Sequence, residues 1–252
     1  MGDKKDYKKL LLECQITKKT KFDKERIYVS IGNSVIGSQG GFVTITGLPK
    51  SCKSTFLMGL IASAISSKQV FGFSTFLNTY PDKNRVCLFD TEHSGLDFQS
   101  KIRQVQKLSG IADIYDAMDI FSVVELSVWD ILNCINTYLE NNPSCAILCI
   151  DGLLDLIENL NDEKSSKRLT KIIRKWAKKH ECLIVGVLHL GKDRTAIGHI
   201  GSSVSRYCQS QLEITKTKEN TYVMEGRLLR SAGHFQSVEI MYSEKNKSFI
   251  QL

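Results

Sequence analysis

The sequence lacks the features of a membrane or secreted protein. No apolar stretch approaches the roughly 18 residues that a membrane-spanning helix needs, and the lysine-rich N-terminus has no apolar core of the kind found in secretory signals. The eight cysteines form no CxxC pair and no Cys/His spacing suited to zinc. We therefore expect a cytoplasmic protein with reduced thiols packed inside apolar runs, at Cys87, Cys145, Cys149 and Cys182.

The composition is that of one ordinary globular domain. The chain has 252 residues, of which 42% are hydrophobic and 24% are charged, and this is enough for one sizeable α/β core. No internal repeat or low-complexity tract stands out. The net charge of +7 is compatible with a polyanionic partner and equally with an ordinary soluble surface. Composition therefore predicts one main domain and does not decide its partner.

The first 26 residues differ in pattern from the rest. They carry eight lysines and a short apolar patch at residues 10–12. We interpret residues 1–26 as a loosely ordered basic arm, which either has no function or contacts nucleic acid. From Ile27 onward, short β-rich runs joined by Gly and Asn turns predict a hairpin at an edge of the sheet. The folded domain is therefore expected to span residues 27–252.

Apolar strands and helical patterns alternate through most of this domain. The runs RVCLFD, CAILCID and LIVGVLH have the continuous hydrophobicity of buried parallel strands, and amphipathic helical patterns separate them. Alternating segments near the C-terminus predict antiparallel strands, with turns around Asn220, Gly233 and Asn246. This order predicts an α/β fold with a mostly parallel central sheet flanked by helices, followed by antiparallel strands.

One short segment indicates nucleotide binding. Residues 47–55 have the sequence GLPKSCKST, between an apolar strand pattern and a helix-forming run. They approximate GxxxxGK[ST], in which backbone N–H groups and a helix N-terminus surround the phosphates, Lys meets their oxygens and the hydroxyl holds Mg²⁺. The alternative is an ordinary turn between a strand and a helix. The predicted nucleotide-binding residues are Gly47, Leu48, Pro49, Lys50, Ser51, Cys52, Lys53, Ser54 and Thr55.

Cys52 departs from this pattern, because the sixth position usually holds glycine. A side chain there leaves two possibilities open: either the backbone dihedrals suit an L-residue, or the phosphates sit slightly differently.

Three other predicted strands end in polar residues suited to NTP hydrolysis. In a doubly wound sheet these strand ends share an edge with the phosphate loop. Asp151 has the form of a Walker-B acid that holds Mg²⁺ through water. Glu92 is placed to orient and polarise the attacking water, and His189 is placed to sense or contact the γ-phosphate. The alternatives are that Asp151 caps a helix, Glu92 is a surface carboxylate and His189 is a core histidine.

The series GLPKSCKST, LFDTEHS, AILCIDGLLDLI and VLHLGK resembles the motor domain of RecA-like P-loop ATPases, closest to hexameric replicative helicases of the DnaB and plasmid RepA kind. The resemblance covers roughly residues 27–252. It implies an ATP-hydrolysing, Mg²⁺-dependent enzyme that works as a ring on single-stranded DNA. It also implies catalytic roles for Lys53, Glu92 and His189, and metal ligation by Ser54 and Asp151.

The resemblance implies two further sets of residues. Arg230 lies where the helicases place a basic residue that reaches into a neighbour's site, and Arg227 is a competing candidate because Leu228 interrupts the family pattern. Residues 159–168 and the loop expected at residues 191–206 match the segments that contact DNA in this family, with Lys192, Arg194 and Arg206 of the second segment as phosphate-binding candidates. An ordinary surface loop is the alternative.

Two other functions remain open from the sequence. One is a nucleotide-gated accessory protein of DNA replication or transposition, in which Cys52 weakens turnover. The other is a small-molecule kinase, which the Glu92 assignment disfavours because kinases transfer to a hydroxyl rather than to water.

Overall fold

The computed structural model describes residues 6–21, 24–93, 95–160, 162–191, 198–230 and 233–252. Within these ranges, none of the helices combines the length and hydrophobicity needed to cross a lipid bilayer.

A nine-stranded sheet forms the centre of the domain. Its strands are β3 (Phe42–Gly47), β5 (Arg85–Asp90), β6 (Met118–Ser122), β7 (Cys145–Asp151), β8 (Leu183–His189), β9 (Ser210–Lys216), β10 (Tyr222–Leu229), β11 (Val238–Ser243) and β12 (Ser248–Gln251). They lie in the order β12-β11-β10-β9-β3-β8-β7-β5-β6. The six strands from β9 to β6 in this order pair in parallel, and β9 to β12 pair antiparallel. The predicted fold class is confirmed.

Helices cover both faces of this sheet, because its parallel strands are joined by helical crossovers. One face packs against α2 (Lys53–Ser66) and α3 (Gly95–Ser109), through core residues such as Phe56 and Val105. The other packs against α4 (Val128–Asn141), α5 (Glu163–Lys179) and α6 (Gly198–Tyr207), through core residues such as Ile135, Ile173 and Val204. Among the described residues, the remaining α-helix is α1 (Tyr7–Cys14), near the N-terminus, and two short 3₁₀ helices span Leu77–Thr79 and Leu153–Leu156.

The first hairpin does not lie at an edge of the main sheet, so that expectation was wrong. Strands β1 (Ile27–Ile31) and β2 (Ser34–Ser38) pair with β4 (Phe73–Thr75) in a separate three-stranded antiparallel sheet of order β2-β1-β4. The physical reason is the burial of Tyr28 and Ile36 in the same core as α2.

Residues 191–206 are not wholly a loop, which corrects a second expectation. Helix α6 begins at Gly198 and carries Arg206 in its last turn. Ile200 and Val204, four residues apart, are buried against α5 and supply the apolar stripe that stabilises a helix. The C-terminal turns near Asn220 and Asn246 are confirmed. The predicted turn around Gly233 includes Ala232, which lies outside the described residues.

The cysteines divide by burial. Cys87, Cys145, Cys149 and Cys182 are buried as expected, and Cys208 is buried as well. Cys14 and Cys134 are exposed, and Cys52 is intermediate. Burial raises the pKa of the buried thiols, because a thiolate is costly in an apolar core.

Gly186, in the middle of β8, packs closely against the side chain of Leu153. A Cβ atom there would lie 2.5 Å from Leu153 Cδ1. We therefore expect Gly186→Ala to destabilise the fold by about 1–3 kcal/mol through overpacking, measured by urea unfolding. Gly233→Ala is the matched control, since a Cβ there meets nothing within 4 Å, and it should change stability by less than about 0.5 kcal/mol. Equal effects of the two substitutions would contradict this account.

Candidate active site

The carboxyl ends of four parallel strands meet at one edge of the sheet. Gly47 at the end of β3 lies opposite His189 at the end of β8, and Asp90 at the end of β5 lies opposite Asp151 at the end of β7. Parallel pairing thus brings together residues that are up to 142 positions apart in sequence, from Gly47 to His189. This edge is where open α/β sheets bind ligands.

The loop after β3 packs tightly against the neighbouring strand β9. A Cβ atom on Gly47 would lie 2.5 Å from the Ile214 carbonyl oxygen and 2.6 Å from Ser51 Oγ. Glycine is therefore required at this first position of the loop. Beside the loop, a cleft is lined by residues 48–51 and by residues 213–216 of β9.

Cys52 takes up a conformation that L-residues rarely adopt. Its φ is 63° and its ψ is 28°, and Lys50, two residues earlier, has a φ of 62°. Of the two possibilities left open for Cys52, the structure bears on the first: the dihedrals are left-handed, and an L-residue adopts them only at a cost. The left-handed backbone that glycine normally supplies is retained, at a steric cost of about 1–2 kcal/mol.

Helix α2 begins directly after Cys52, and its N-terminus is open to an anion. Cys52 is the N-cap residue and makes no side-chain capping bond to the described helix, whose first turn holds no acidic residue. The first N–H groups of an α-helix have no intrahelical partner, and their dipoles favour negative charge. The start of α2 therefore suits a phosphate group.

Lys53 lies buried at the start of α2. Its Nζ atom donates a hydrogen bond to the Leu48 carbonyl oxygen at 2.8 Å. Burial lowers the pKa of Lys53, and the charges of Glu92 and Asp151 partly offset this. An ammonium group inside a loop and near two carboxylates is suited to meet phosphate oxygens.

Ser54 and Asp151 face each other beneath the loop. Ser54 Oγ donates a hydrogen bond to Asp151 Oδ1 at 3.0 Å. Hydroxyl and carboxylate oxygens are the donors that Mg²⁺ prefers, usually together with waters and phosphate oxygens. The residues present therefore fit a magnesium ion between the loop and β7.

Asp151 is fully buried, and its carboxylate has a second partner. Lys101 Nζ, from α3, forms a close ion pair with Asp151 Oδ2. Burial raises the pKa of Asp151, while Lys101 and the hydrogen bond from Ser54 oppose that rise. Gly152 follows with a φ of 118°, and a Cβ there would lie 2.2 Å from Thr91 Oγ1, so only glycine allows the two strand ends to approach this closely.

Glu92 and His189 form the outer part of the site. Glu92 Oε1 lies 2.9 Å from His189 Nε2, and 27% of the Glu92 side chain is exposed. Burial alone would raise the pKa of Glu92, but the hydrogen bond from His189, with the charges of His189, His93 and Lys101, lowers it overall. Glu92 therefore stays ionised to lower pH than an ordinary glutamate.

Two residues at the centre of the site were not assigned from the sequence. Asp90 Oδ1 accepts hydrogen bonds from the backbone N–H groups of Glu92 (3.0 Å) and His93 (2.8 Å), and Lys101 Nζ lies 2.7 Å from Asp90 Oδ2. The spacing of residues along α3 could have identified Lys101. Its buried residues are Lys101, Val105 and Ser109, so the lysine begins the i, i+4, i+8 stripe that faces the core.

The other predicted residues lie elsewhere. Arg230 follows β10 at the opposite end of the sheet, where its backbone N–H bonds to the Gln209 carbonyl and its guanidinium to the Arg206 carbonyl. Arg206 is exposed at the same end, and the competing Arg227 pairs with Glu213. Lys192 and Arg194 lie outside the described residues. The fold brings together Lys53, Ser54, Glu92, Asp151 and His189.

A phosphate loop between a strand and a helix of a parallel α/β sheet, with acids on neighbouring strand ends, defines the P-loop NTPase fold. The model of the AAA_25 family, described as an AAA domain, matches residues 36–195. This is more than half of the chain, which therefore belongs to this family of P-loop ATPases. A search of curated proteins found no match.

The strain at Cys52 can be measured by comparing two substitutions. Both Cys52→Ala and Cys52→Gly remove the thiol, but only glycine relieves the left-handed conformation. We expect Cys52→Gly to be more stable than Cys52→Ala by about 1 kcal/mol in urea unfolding. Equal stabilities, or a more stable alanine variant, would contradict the conformation described for the loop.

Proposed function

We propose that this protein is a Mg²⁺-dependent ATPase that works as a homo-oligomer, a hexameric ring of the DnaB and RepA kind, on single-stranded DNA. The observation that carries the ATPase proposal is the meeting of a buried lysine, a metal-binding pair and a carboxylate at one sheet edge. Ser54 Oγ and Asp151 Oδ1 are 3.0 Å apart, and Lys53 interacts electrostatically with both Asp151 and Glu92.

The loop residues bind and orient the triphosphate. Backbone N–H groups at the start of α2 donate hydrogen bonds to phosphate oxygens. Lys53 exchanges its hydrogen bond to the Leu48 carbonyl for contacts with the β and γ phosphate oxygens. The cleft between residues 48–51 and 213–216 adjoins the loop and offers room for the remainder of the nucleotide.

Ser54 and Asp151 would hold Mg²⁺, which when bound neutralises charge on the β and γ phosphates. Ser54 supplies its hydroxyl oxygen and Asp151 supplies Oδ1, which faces the loop. Since Asp151 is fully buried, solvent does not compete for this carboxylate.

Glu92 would orient and polarise the attacking water. Its carboxylate accepts a proton as the water attacks the γ-phosphorus, and its lowered pKa keeps it ionised beforehand. His189 holds Glu92 through the 2.9 Å bond, at the strand end next to the loop. His189 is therefore placed to link nucleotide contacts to the segment that follows β8.

The position of Arg230 supports the oligomer part of the proposal. Arg230 is exposed and lies at the end of the sheet opposite its own phosphate loop, so it cannot complete that site within one chain. A residue in this position acts on a nucleotide only in a neighbouring copy. Arg227 forms an ion pair with Glu213 on the adjacent strand β9, whereas the Arg230 guanidinium bonds to the uncharged Arg206 carbonyl.

The DNA part rests on the net charge of +7 and on Lys192, Arg194 and Arg206 as phosphate contacts. The test is the ATPase rate with and without single-stranded DNA, on protein whose mass in solution is measured at the same concentration. Stimulation by DNA in a multimer supports the whole proposal. If the protein is a monomer whose ATPase rate does not change with DNA, only the ATPase part of the proposal stands. If calorimetry detects no ATP binding, both parts are rejected.

The strained Cys52 favours one alternative, a nucleotide-gated accessory protein of DNA replication or transposition with little turnover. The Cys52 side chain lies where a phosphate loop usually has only hydrogen, and in this alternative it weakens turnover. Tight ATP binding with near-zero hydrolysis, with and without DNA, would support this alternative.

Two substitutions separate binding from hydrolysis. Lys53→Ala should abolish detectable ATP binding, because it removes the ammonium group that meets the phosphates. Glu92→Gln should leave the ATP dissociation constant nearly unchanged and lower kcat by about 10²–10⁴-fold, measured by calorimetry and phosphate release. Glu140→Gln, at a surface ion pair with Lys179, is the matched control and should hydrolyse normally. Normal turnover by Glu92→Gln would remove its catalytic assignment.

Mixing experiments test whether Arg230 acts in trans. Arg230→Ala alone and Glu92→Gln alone should each be inactive, since every site in a uniform assembly lacks one group. A mixture should regain part of the activity, because some sites then combine an intact Glu92 with an intact Arg230 from the neighbour. The measurement is the ATPase rate across mixing ratios. A strictly additive, inactive mixture of folded variants would argue against the trans arrangement.

A further inference from the structure

Two carboxylates meet in the interior at the ends of β5 and β7. Asp90 and Asp151 are register partners in adjacent parallel strands, and both are fully buried. Two like charges side by side in a buried site repel each other, and each loses its hydration. A cation close to both carboxylates offsets both effects.

Lys101 supplies that cation from α3. Its Nζ atom lies 2.7 Å from Asp90 Oδ2 and 2.8 Å from His93 Nδ1, and it pairs closely with Asp151 Oδ2. The three partners have ligand atoms within 4.8 Å of one another, a spacing that could hold a metal ion. The ammonium group thus occupies the position that a metal ion would take among them.

Each carboxylate bonds to Lys101 through one oxygen and to a different partner through the other. Asp151 presents Oδ2 to Lys101 and Oδ1 to Ser54. Asp90 presents Oδ2 to Lys101 and Oδ1 to the backbone N–H groups of Glu92 and His93. One ammonium group therefore contacts both the carboxylate that faces the metal position and the carboxylate that anchors the turn carrying Glu92.

We propose that Lys101 is a positioning residue that replaces a metal ion among Asp90, His93 and Asp151, and so leaves Asp151 Oδ1 for the nucleotide's Mg²⁺ and fixes the turn that presents Glu92. This inference rests on the proposed ATPase function for its catalytic consequence. Its geometric part, the replacement of a metal ion, does not depend on nucleotide.

The geometric part is tested without nucleotide, with Co²⁺ alone as the probe. In Lys101→Ala the ammonium group is gone, and Asp90, His93 and Asp151 are expected to bind one Co²⁺ per chain with visible absorption and a raised Tm. The double variant Lys101→Ala/His93→Ala and the wild-type protein should lack this signal. A folded Lys101→Ala variant that takes up no Co²⁺, or whose uptake persists without His93, would overturn the metal-replacement argument.

The catalytic part is tested by separating kcat from KM. Lys101→Met should lower kcat about 10–100-fold, the usual cost of losing a group that orients a metal ligand, with the KM for ATP within about threefold. Lys101→Arg should recover part of kcat because it restores a cation. Lys83→Met is the matched control, since Lys83 is equally buried but bonds to the carbonyls of Cys145 and His180, where β7 begins. It should lose Tm without losing kcat at a temperature where it is folded.

If Lys101→Met fails to fold, Lys101→Met/Asp90→Asn removes one buried negative charge together with the ammonium and keeps an oxygen for the Glu92 and His93 N–H groups. A kcat close to that of the wild type in either folded variant would overturn the positioning role. Absence of ATP hydrolysis by the wild-type protein would instead reject the proposed function, and the Co²⁺ experiment would still decide whether Lys101 stands in a metal position.

Discussion

The pairing of Asp90 and Asp151 is the constraint on which the site depends. Parallel register places them side by side in the interior, and a positive group between them relieves their repulsion while both stay ionised. Helix α3 does this with Lys101, which ties its packing face to the sheet edge. The same contact orients Asp151 toward Ser54 and holds the turn before Glu92. Charge compensation and site geometry are therefore consequences of one arrangement.

Much of the fold could be predicted because its signals are local. Continuous apolar runs that end in Asp90, Asp151 and His189 predict buried parallel strands, and the structure confirms β5, β7 and β8. The three-stranded sheet could not be predicted in this way, because its strands β1 and β4 are separated by more than 40 residues and their pairing is decided by packing on α2. Helix α6 was not predicted because its glycines and serines are typical of a loop, and only Ile200 and Val204 form its short apolar stripe.

The site residues that could be predicted are those of the phosphate loop and the polar residues at the ends of apolar strands. Lys53, Ser54, Glu92, Asp151 and His189 were all named from the phosphate-loop pattern and from acids or His at the ends of apolar strands, and they lie together. Lys101 escaped because a lysine in a helix is usually solvated, and only its place on the buried face of α3 distinguishes it. The conformation of Cys52 also needed coordinates, since residue type alone left its dihedrals open.

The division of the thiols by burial gives the molecule a built-in reporter. Cys14 and Cys134 are exposed, whereas Cys87, Cys145, Cys149, Cys182 and Cys208 are enclosed on both faces of the sheet or beneath α6. A maleimide reagent will label the first two in the native state, because alkylation needs an accessible thiolate. The enclosed group reacts only when strands separate from helices, so stepwise mass increases would follow the opening of the core in time.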